Sequence, residues 1–441
     1  MKTSRRPRVR RRAVTAALAL SLAVTAAVPA AAHAAQDPAG TSAHMAVTGL
    51  DLPGPTGAFA VGRDRLHLVD RTRQDPWVPD QPRELMVDLS YPARQSSRDP
   101  ASYMDAEEAR ELLAAVGVHD PERTARLAAT RTHSVPGAGP RRGRYPLVVL
   151  SPGFGMPRYT LTTLAEDLAS RGHVVAAVDH AYEGAGVAFP GGRTLTCVAC
   201  GLAKTEEDLR RATVNRAHDL SFVLDRLTGP RPAWRHGPSL IDRKRIGAAG
   251  HSIGGAAAAS VMRHDDRVEA GINMDGAFGD PVPEGGLGGR PFLMLGTHEG
   301  NGGAHLPGGW DATWGAAWSN LDGWKRWLTV AGASHSTFSD APLLYEQLGI
   351  PSRGPSEPAA ARSVELTRTY TAAFFGLHLR HRPQPLLDGP TAEYPEVHFN
   401  EPGVQQARPA DQVRAGSPDR HVRLRERPLL PPRPRAARPR A

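Results

Sequence analysis

The stretch RIGAAGHSIGGAAAA, residues 245–259, places one serine between two glycines where a short apolar run meets an alanine-rich segment. The apolar run predicts a buried strand, and the alanines predict a helix. A strand that turns into a helix over GHSIG, residues 250–254, needs a strained backbone at Ser252. Side chains two residues before and after the serine would collide there, so both positions are glycine. The pattern predicts a nucleophile elbow, which raises a serine hydroxyl clear of a sheet.

Strand and helix patterns alternate on both sides of this junction. Alternating residues predict antiparallel strands at 65–71 and 84–93, and from 144 onward continuous apolar runs predict strands buried on both faces. Those runs are RYPLVVLSPG, HVVAAVDH, RIGAAGHS, EAGINMDG, RPFLMLGT and WKRWLTVAG. Helices are predicted at about 160–172, at 205–228, after the elbow and at about 360–380. In the second of these, Leu209, Ala212, Leu220, Val223, Leu224 and Leu227 share one face. The alternation predicts an α/β fold, with a mostly parallel central sheet and helices on both faces.

Positive charge lies at the two ends of the chain. Residues 1–34 hold seven Lys/Arg and no acid, residues 408–441 hold ten Arg against three acids, and the whole chain carries +9, which leaves about −5 for residues 35–407. A mildly acidic body argues against a nucleic-acid partner. The basic start, the apolar run that ends at Pro29 and the small residues Ala32 and Ala34 predict a secretory signal peptide over 1–34. A membrane anchor is the alternative, and RRR at 10–12 leaves Sec and Tat export open.

We therefore expect a secreted protein in three parts. These are the signal peptide, a catalytic domain over 35–407 with a surface insertion at 101–135, and a disordered Arg/Pro-rich tail over 408–441. In an exported protein, Cys197 and Cys200 are expected to form a local disulfide. Two thiols are too few for a structural zinc site, and neither a metal nor a cofactor is expected.

A nucleophilic serine needs a base, and His335 is the candidate. It follows the apolar run WLTV, near the end of the predicted domain. His298 and His305 are rivals in a Gly-rich loop after an earlier strand, and His251 is expected to point away from the site. In an elbow-bearing fold the chain order is serine, acid, histidine, which favours His335.

Three acids could orient that histidine. Asp275 ends the apolar run after the elbow, Glu299 follows the next run, and Asp280 lies on a looser loop. The residues alone favour Asp275 only slightly over Glu299.

Two backbone amides are candidates for an oxyanion hole. The Ile253 amide opens the helix after the serine, and Phe154 lies in the small-residue turn PGFG after an earlier strand. Arg216 and Asp219 are expected to form a surface or structural ion pair. The tryptophans at 310, 314, 318, 324 and 327 could line an acyl site, although a helix packing its aromatic face on the sheet is the preferred interpretation.

The segments SPGFGMPR, VDHAYEG, GHSIGG, NMDGA and AGASHSTFSD, in this order, resemble the platelet-activating-factor acetylhydrolase family of the plasma type and related secreted bacterial esterases. The resemblance spans roughly residues 60–400 and implies an α/β-hydrolase fold. It implies Ser252 as nucleophile, Asp275 as acid, His335 as base, and Phe154 with Ile253 as oxyanion donors. It also implies calcium-independent hydrolysis of esters with a short or oxidised acyl group. The Cys197–Cys200 loop and the Arg/Pro tail depart from the family pattern.

The prediction is a secreted serine esterase that cleaves short-chain acyl esters through an acyl-enzyme. The substrate is expected to be a small ester or a lipid, with no nucleic-acid partner, and the protein is expected to be a monomer. The basic tail could make weak contacts with an anionic surface. The alternatives are a lipase or polyester esterase of the same fold, an acyltransferase, or a binding module that has lost activity.

Overall fold

The structure, a computed structural model, describes residues 47–297, 312–351 and 357–401. The predicted signal peptide and the basic tail lie outside these residues, as do His298, Glu299, His305 and Trp310. Within the described part, no helix is both long and apolar enough to cross a bilayer.

Twelve strands and ten helices are described. The strands are β1 (Ala60–Gln74), β2 (Pro82–Ala93), β3 (Ser134–Pro136), β4 (Tyr145–Ser151), β5 (Val174–His180), β6 (Val187–Phe189), β7 (Arg193–Leu195), β8 (Ile241–His251), β9 (Val268–Met274), β10 (Phe292–Thr297), β11 (Lys325–Val330) and β12 (Val397–Asn400). The helices are α1 (Ala106–Ala115), α2 (Pro121–Ala129), α3 (Thr162–Ser170), α4 (Val198–Leu202), α5 (Glu206–Thr228), α6 (Gly237–Leu240), α7 (Ile253–His264), α8 (Ala312–Asn320), α9 (Ala341–Leu348) and α10 (Ala360–His378). Short 3₁₀ helices cover Arg158–Leu161, His335–Phe338 and Pro385–Leu387.

Ten of the strands form one sheet in the order β12-β11-β10-β9-β8-β4-β5-β2-β1-β3. The six strands from β11 to β5 pair in parallel, while β2 and β12 add antiparallel strands at either side of them. The predicted mostly parallel sheet is confirmed. Because parallel strands share one direction, the loops after β4, β8, β9 and β11 leave the sheet at the same edge.

Helices cover both faces of this sheet. Leu147 and Val149 of β4 belong to a core with α5 and α7, whereas Val148 and Leu150 belong to a core with α3 and α10. Burial on both faces explains why β4 is a continuous apolar run rather than an alternating one. In α5 the predicted apolar face is buried except at Leu209, which is 43% exposed.

The segment predicted as a surface insertion contains α1, α2 and β3. Its Leu112, Leu113 and Leu127 are buried in a separate apolar cluster that also includes Leu343 and Leu344 of α9. A full capping box at Asp105 and Glu108 begins α1. The segment is therefore packed into the domain through its own small core.

Candidate active site

The turn between β8 and α7 has the geometry that the two glycines predict. Ser252 has φ 57° and ψ −129°, a strained conformation for a residue with a side chain. A Cβ on Gly250 would lie 2.3 Å from the Gly254 backbone, and one on Gly254 would lie 2.0 Å from the Ser151 carbonyl oxygen. Only glycine fits at either position, so the sequence folds here into an elbow with Ser252 at its tip.

The structure brings Ser252, His335 and Asp275 together from three separate loops. His335 Nε2 lies 2.9 Å from Ser252 Oγ, and His335 Nδ1 lies 2.6 Å from Asp275 Oδ2. Because a carboxylate accepts at Nδ1, that nitrogen carries the proton and Nε2 presents its lone pair to the serine hydroxyl. The arrangement can remove a proton from Ser252.

Asp275, the candidate acid, is also held by hydrogen bonds to the carboxylate oxygen that does not face His335. Asp275 directly follows β9 with φ 59°, and its carboxylate is buried. Its Oδ1 accepts the Thr297 amide at 2.9 Å and the Thr297 hydroxyl at 3.2 Å. These bonds fix the oxygen that does not face His335. The alternative acid, Asp280, instead accepts hydrogen bonds from Ser260 and Arg263 and makes none with His335 among the described residues.

The loop after β4 lies beside the elbow because β4 and β8 pair in parallel, with Ser151 opposite Gly250. This loop, Pro152–Gly155, carries Phe154, the predicted oxyanion donor. Ile253 is the first residue of α7, so its amide has no intrahelical acceptor. Among the described residues, no acceptor is bonded to the Phe154 or Ile253 amide. Both amides are free to bind a substrate oxygen.

The expectation that His251 points away from the site is wrong. Its Nε2 donates to the His335 carbonyl oxygen at 2.7 Å, and the two rings lie 4.7 Å apart. Burial, and after it the charge of the nearby His335, lower the pKa of His251 to about 3, so the ring is neutral at physiological pH. His251 therefore supports the backbone of the candidate base.

Arg216 and Asp219 do not form the surface or structural ion pair with each other that their helical spacing suggests. Both are buried, and in the described part of the chain they bond to other partners. Arg216 Nε donates to Glu183 at 2.7 Å, whereas Asp219 accepts from His180, Arg83 and Arg73. Sequence reasoning missed this cluster because the partners of Arg216 and Asp219 lie in distant parts of the chain, and no local pattern connects them.

Cys197 and Cys200 are joined by a disulfide at the start of α4. A Cβ on Gly155 would lie 3.4 Å from Cys200 Sγ, so the disulfide contacts the loop that carries Phe154. The loop and disulfide share an apolar cluster with Trp77, Ala199 and Ile253. This cluster forms an apolar wall beside the candidate oxyanion amides.

Trp314 and Trp318 of α8 pack against Trp327 of β11, so a helix face meets the sheet here. Trp314 of α8 is buried with its ring 5.6 Å from that of Trp327, and its Nε1 donates to the Gly276 carbonyl oxygen at 2.8 Å. Trp318 lies 6.1 Å from Trp327, and Trp324 packs on Phe374. These contacts favour the packing interpretation over an acyl site.

Searched over the described residues, the chain holds no group of three or more His, Cys, Asp or Glu side chains suited to a metal ion. The described arrangement at Ser252 consists of protein groups alone.

Known proteins resemble this chain over most of its length. The family model described as platelet-activating factor acetylhydrolase, isoform II, matches residues 127–190. A probable 1-alkyl-2-acetylglycerophosphocholine esterase of Arthroderma benhamiae is 30% identical over 377 residues, which are 79% of this chain and 93% of that protein. The platelet-activating factor acetylhydrolase of Cavia porcellus is 27% identical over 30% of this chain and 35% of its own length.

A solved structure extends the likeness to three dimensions. The ferulic acid esterase of Streptomyces cinnamoneus is 46% identical, with a TM-score of 0.71 over 81% of this chain and 100% of that one. The sheet order and the structural match identify the α/β-hydrolase fold. The chain therefore belongs to the platelet-activating factor acetylhydrolase isoform II family, and it is an ester hydrolase.

Proposed function

We propose that the protein is a secreted serine esterase that cleaves small acyl esters through a Ser252–His335–Asp275 triad and an acyl-enzyme. The observation that carries the proposal is the position of His335, bonded at one nitrogen to the Ser252 hydroxyl and at the other to the Asp275 carboxylate. That is the hydrogen-bond order that activates a serine in unrelated hydrolases.

In the first half of the reaction, His335 Nε2 takes the Ser252 proton while Oγ attacks the ester carbonyl carbon. The carbonyl electron pair moves to oxygen, and the Phe154 and Ile253 amides stabilise the resulting oxyanion. Collapse of this intermediate expels the alcohol, which receives the proton from His335 and leaves an acyl-serine. Asp275 holds the imidazole in the required tautomer and stabilises its charged form.

In the second half, His335 Nε2 removes a proton from water while the water oxygen attacks the carbonyl carbon of the acyl-serine. The second tetrahedral intermediate collapses by expelling Ser252 Oγ, which takes the proton back from His335, and the acid is released. The chemistry uses side chains and backbone amides already described and requires no metal. Attack by an alcohol instead of water would make the same site an acyltransferase.

The family and its named members favour a short acyl group, such as acetate, on the sn-2 position of a phospholipid. A second candidate substrate is an ester of an aromatic acid, because the ferulic acid esterase is 46% identical to this chain. The apolar wall is compatible with either, since the part-exposed Phe154 ring packs edge-on against Trp77 with centroids 6.4 Å apart.

The remaining proposals concern the protein's setting. The basic and apolar N-terminal sequence favours export, and the protein is proposed to act as a monomer without a nucleic-acid partner. The Arg/Pro-rich tail could contact anionic surfaces by charge alone. Deleting residues 408–441 should then weaken binding to anionic vesicles at low salt, and unchanged binding would contradict it.

The deciding experiment measures hydrolysis of p-nitrophenyl esters from acetate to palmitate, in the presence of EDTA, by wild type and Ser252→Ala. We expect rapid turnover of the short chains and its loss in the variant. The same pair is then assayed on an sn-2 acetyl phospholipid and on methyl ferulate, which separates the two substrate classes. A preference for palmitate would point to a lipase, and no turnover by folded wild type would refute the proposed function.

A further inference from the structure

Five charged side chains lie buried directly behind the Pro152–Gly155 loop. This buried charge cluster consists of Asp75, Arg83, Glu183, Arg216 and Asp219, each no more than 1% exposed. Arg83 joins three of them, since it donates to Asp75 at 2.7 Å, to Glu183 at 2.8 Å and to Asp219 at 2.6 Å. Arg216 bonds to Glu183 at 2.7 Å. Nothing in the proposed reaction uses these charges directly.

Arg216 contacts the first part of the loop. Its Nη1 donates to the Pro152 carbonyl oxygen and, at 3.2 Å, to Ser151 Oγ. Its Nε donates to Glu183 Oε2 at the same time. The bonds to the loop come from Nη1 and the bond to Glu183 comes from Nε, two nitrogens of one rigid planar group, so a lysine ammonium cannot reproduce them.

Glu183 contacts the last part of the loop. Its backbone carbonyl accepts the Gly155 amide at 2.9 Å, and the Ala185 amide donates to the Gly155 carbonyl at 2.9 Å. Together, Arg216 and Glu183 bond to residues on either side of Gly153 and Phe154. The Phe154 amide itself stays free in the described structure.

The Glu183 carboxylate also places the apolar wall. Trp77 Nε1 donates to Glu183 Oε1 at 3.0 Å, and the Trp77 ring contacts Phe154. Burial alone would raise the pKa of Glu183, yet the Arg216 and Arg83 charges hold it below its ordinary value, so the group stays ionised.

A buried cluster of this kind is a poor source of stability. Removing charges from water costs several kcal/mol per ion, and well-packed apolar residues often serve as well or better. What apolar residues cannot supply is a donor to the Pro152 carbonyl. Arg216 and Glu183 of the cluster contact the loop that carries the Phe154 amide, the candidate donor to the oxyanion. An oxyanion donor lowers the barrier only when it is already in position before the charge develops.

We propose that Arg216 and Glu183 are positioning residues that hold the Pro152–Gly155 loop so that the Phe154 amide faces the oxyanion. The inference rests on the proposed function, because it assumes that Phe154 donates to a tetrahedral intermediate. Arg216 touches neither substrate nor reacting atoms and acts through the loop backbone.

The test compares Arg216→Lys with Arg368→Lys. Arg368 is also buried, at 5% exposure, and also donates to backbone carbonyls, those of Thr163 and Gly54 at 2.9 Å, away from the Pro152–Gly155 loop. Each variant is assayed for kcat and KM on p-nitrophenyl acetate, for its melting temperature, and for inhibition by a short alkyl trifluoromethyl ketone. Ser252 Oγ adds to that ketone's carbonyl carbon, its proton passes to His335, and the oxygen becomes an oxyanion that mimics the intermediate.

We expect Arg216→Lys to lower kcat about tenfold or more with little change in KM, since a complete loss of one oxyanion donor costs about 10²- to 10³-fold. Ketone affinity should fall by the same factor, whereas Arg368→Lys should keep both values within about twofold of wild type. A loss of stability alone would not change kcat and ketone affinity in proportion. If Arg216→Lys does not fold, Glu183→Gln, which preserves side-chain volume, decides by the same measurements.

Wild-type kcat and ketone affinity in folded Arg216→Lys, or equal losses in Arg368→Lys, would overturn the proposal. Ser252→Ala is run alongside to separate the two levels of inference. If Ser252→Ala stays active, the proposed function itself fails. If it is inactive while Arg216→Lys matches Arg368→Lys, only the positioning role fails.

Discussion

The molecule contains two Ser–His–Asp arrays with almost the same hydrogen bonds. In one, His335 lies 2.9 Å from Ser252 Oγ and 2.6 Å from Asp275. In the other, His180 Nε2 lies 3.0 Å from Ser151 Oγ, and its Nδ1 lies 2.7 Å from Asp219 Oδ2. The second array is on the opposite side of the Pro152–Gly155 loop from the elbow. By distances alone the two are indistinguishable.

They differ in access and in what surrounds the serine. Ser151, His180 and Asp219 are each no more than 2% exposed, and Ser151 Oγ also accepts a bond from Arg216. Ser252 is part-exposed, stands at a strained turn and adjoins two free amides. The comparison shows that hydrogen-bond order alone does not make a nucleophile. A nucleophile also needs a path for substrate and donors for the oxyanion.

The largest expected difference between the arrays concerns the serines. Ser252→Ala should lower kcat/KM by about 10⁴-fold or more, because the attacking atom is lost. Ser151→Ala removes the buried hydrogen bonds of Ser151 Oγ to His180 and Arg216, worth about 1 kcal/mol each. Because Arg216 keeps its bond to the Pro152 carbonyl, kcat/KM should change by no more than about fivefold. Steady-state rates on p-nitrophenyl acetate, with mass spectrometry of the peptide labelled by a fluorophosphonate, check both. Label on Ser151 would contradict this assignment.

Substitution of the aspartate in each array should affect different quantities, activity for Asp275 and stability for Asp219. Asp275→Asn should lower kcat about 10⁴-fold by favouring the wrong histidine tautomer. Asp219→Asn should instead lower the free energy of unfolding by about 3–5 kcal/mol, because Arg83 and His180 would lose a buried charged partner. Urea unfolding and kcat are measured on both variants. A large kcat loss in a stable Asp219→Asn protein would show that the buried array takes part in catalysis.

The sequence predicts the first array better than the second for a physical reason. The elbow is encoded locally, since Gly250 and Gly254 are the only residues that fit around the strained Ser252. The acid and base follow later strands of a parallel sheet, whose ends must meet at one edge. Asp275 and His335 could therefore be chosen by position, although Glu299 and Asp280 remained alternatives for the acid.

No local sequence pattern indicates the array of Ser151, His180 and Asp219 or the buried charge cluster around it. Arg83 lies in an antiparallel strand, Glu183 in a loop after β5 and Asp219 in a long helix, and only the folded sheet brings them together. A helical spacing of three suggested that Arg216 and Asp219 pair, but each faces a different partner. For the same reason the short strands β3, β6, β7 and β12 were not predicted, since their pairing partners are set by tertiary structure.

Acidification should weaken the fold through its buried histidines. Burial lowers the pKa of His173 to about 4 and that of His251 to about 3, and it also lowers that of His180. Below about pH 6.5 the unfolded chain binds protons that the native protein does not, so His173 and His251 each lower the stability, by up to about 1.4 kcal/mol per pH unit near pH 5. Asp340, whose pKa burial raises to about 6, acts in the opposite direction between about pH 6 and 4.

Urea unfolding from pH 7.5 to 5 measures this slope, and His173→Gln provides the comparison. His173 donates to the Leu168 carbonyl at 3.0 Å and lies in neither array, so activity at pH 7.5 should be unchanged. The loss of stability between pH 7.5 and 5 should be smaller in the variant by about 2 kcal/mol, most of it below pH 6.5. An identical slope in wild type and variant would mean that His173 becomes protonated in the native state.

The smallest expected effect concerns the disulfide, which also contacts the Pro152–Gly155 loop. Replacing both Cys197 and Cys200 by serine opens a very short covalent loop, so the free energy of unfolding should fall by only about 2 kcal/mol. The bonds of Gly155 to Glu183 and Ala185 remain, at 2.9 Å each, so kcat on p-nitrophenyl acetate should stay within about threefold of wild type. Wild type treated with dithiothreitol should behave like the double variant. A tenfold or greater loss of kcat would instead mean that the disulfide, rather than Arg216 and Glu183, holds Phe154 in place. The position of the Pro152–Gly155 loop between the two arrays would then depend on the redox state of Cys197 and Cys200.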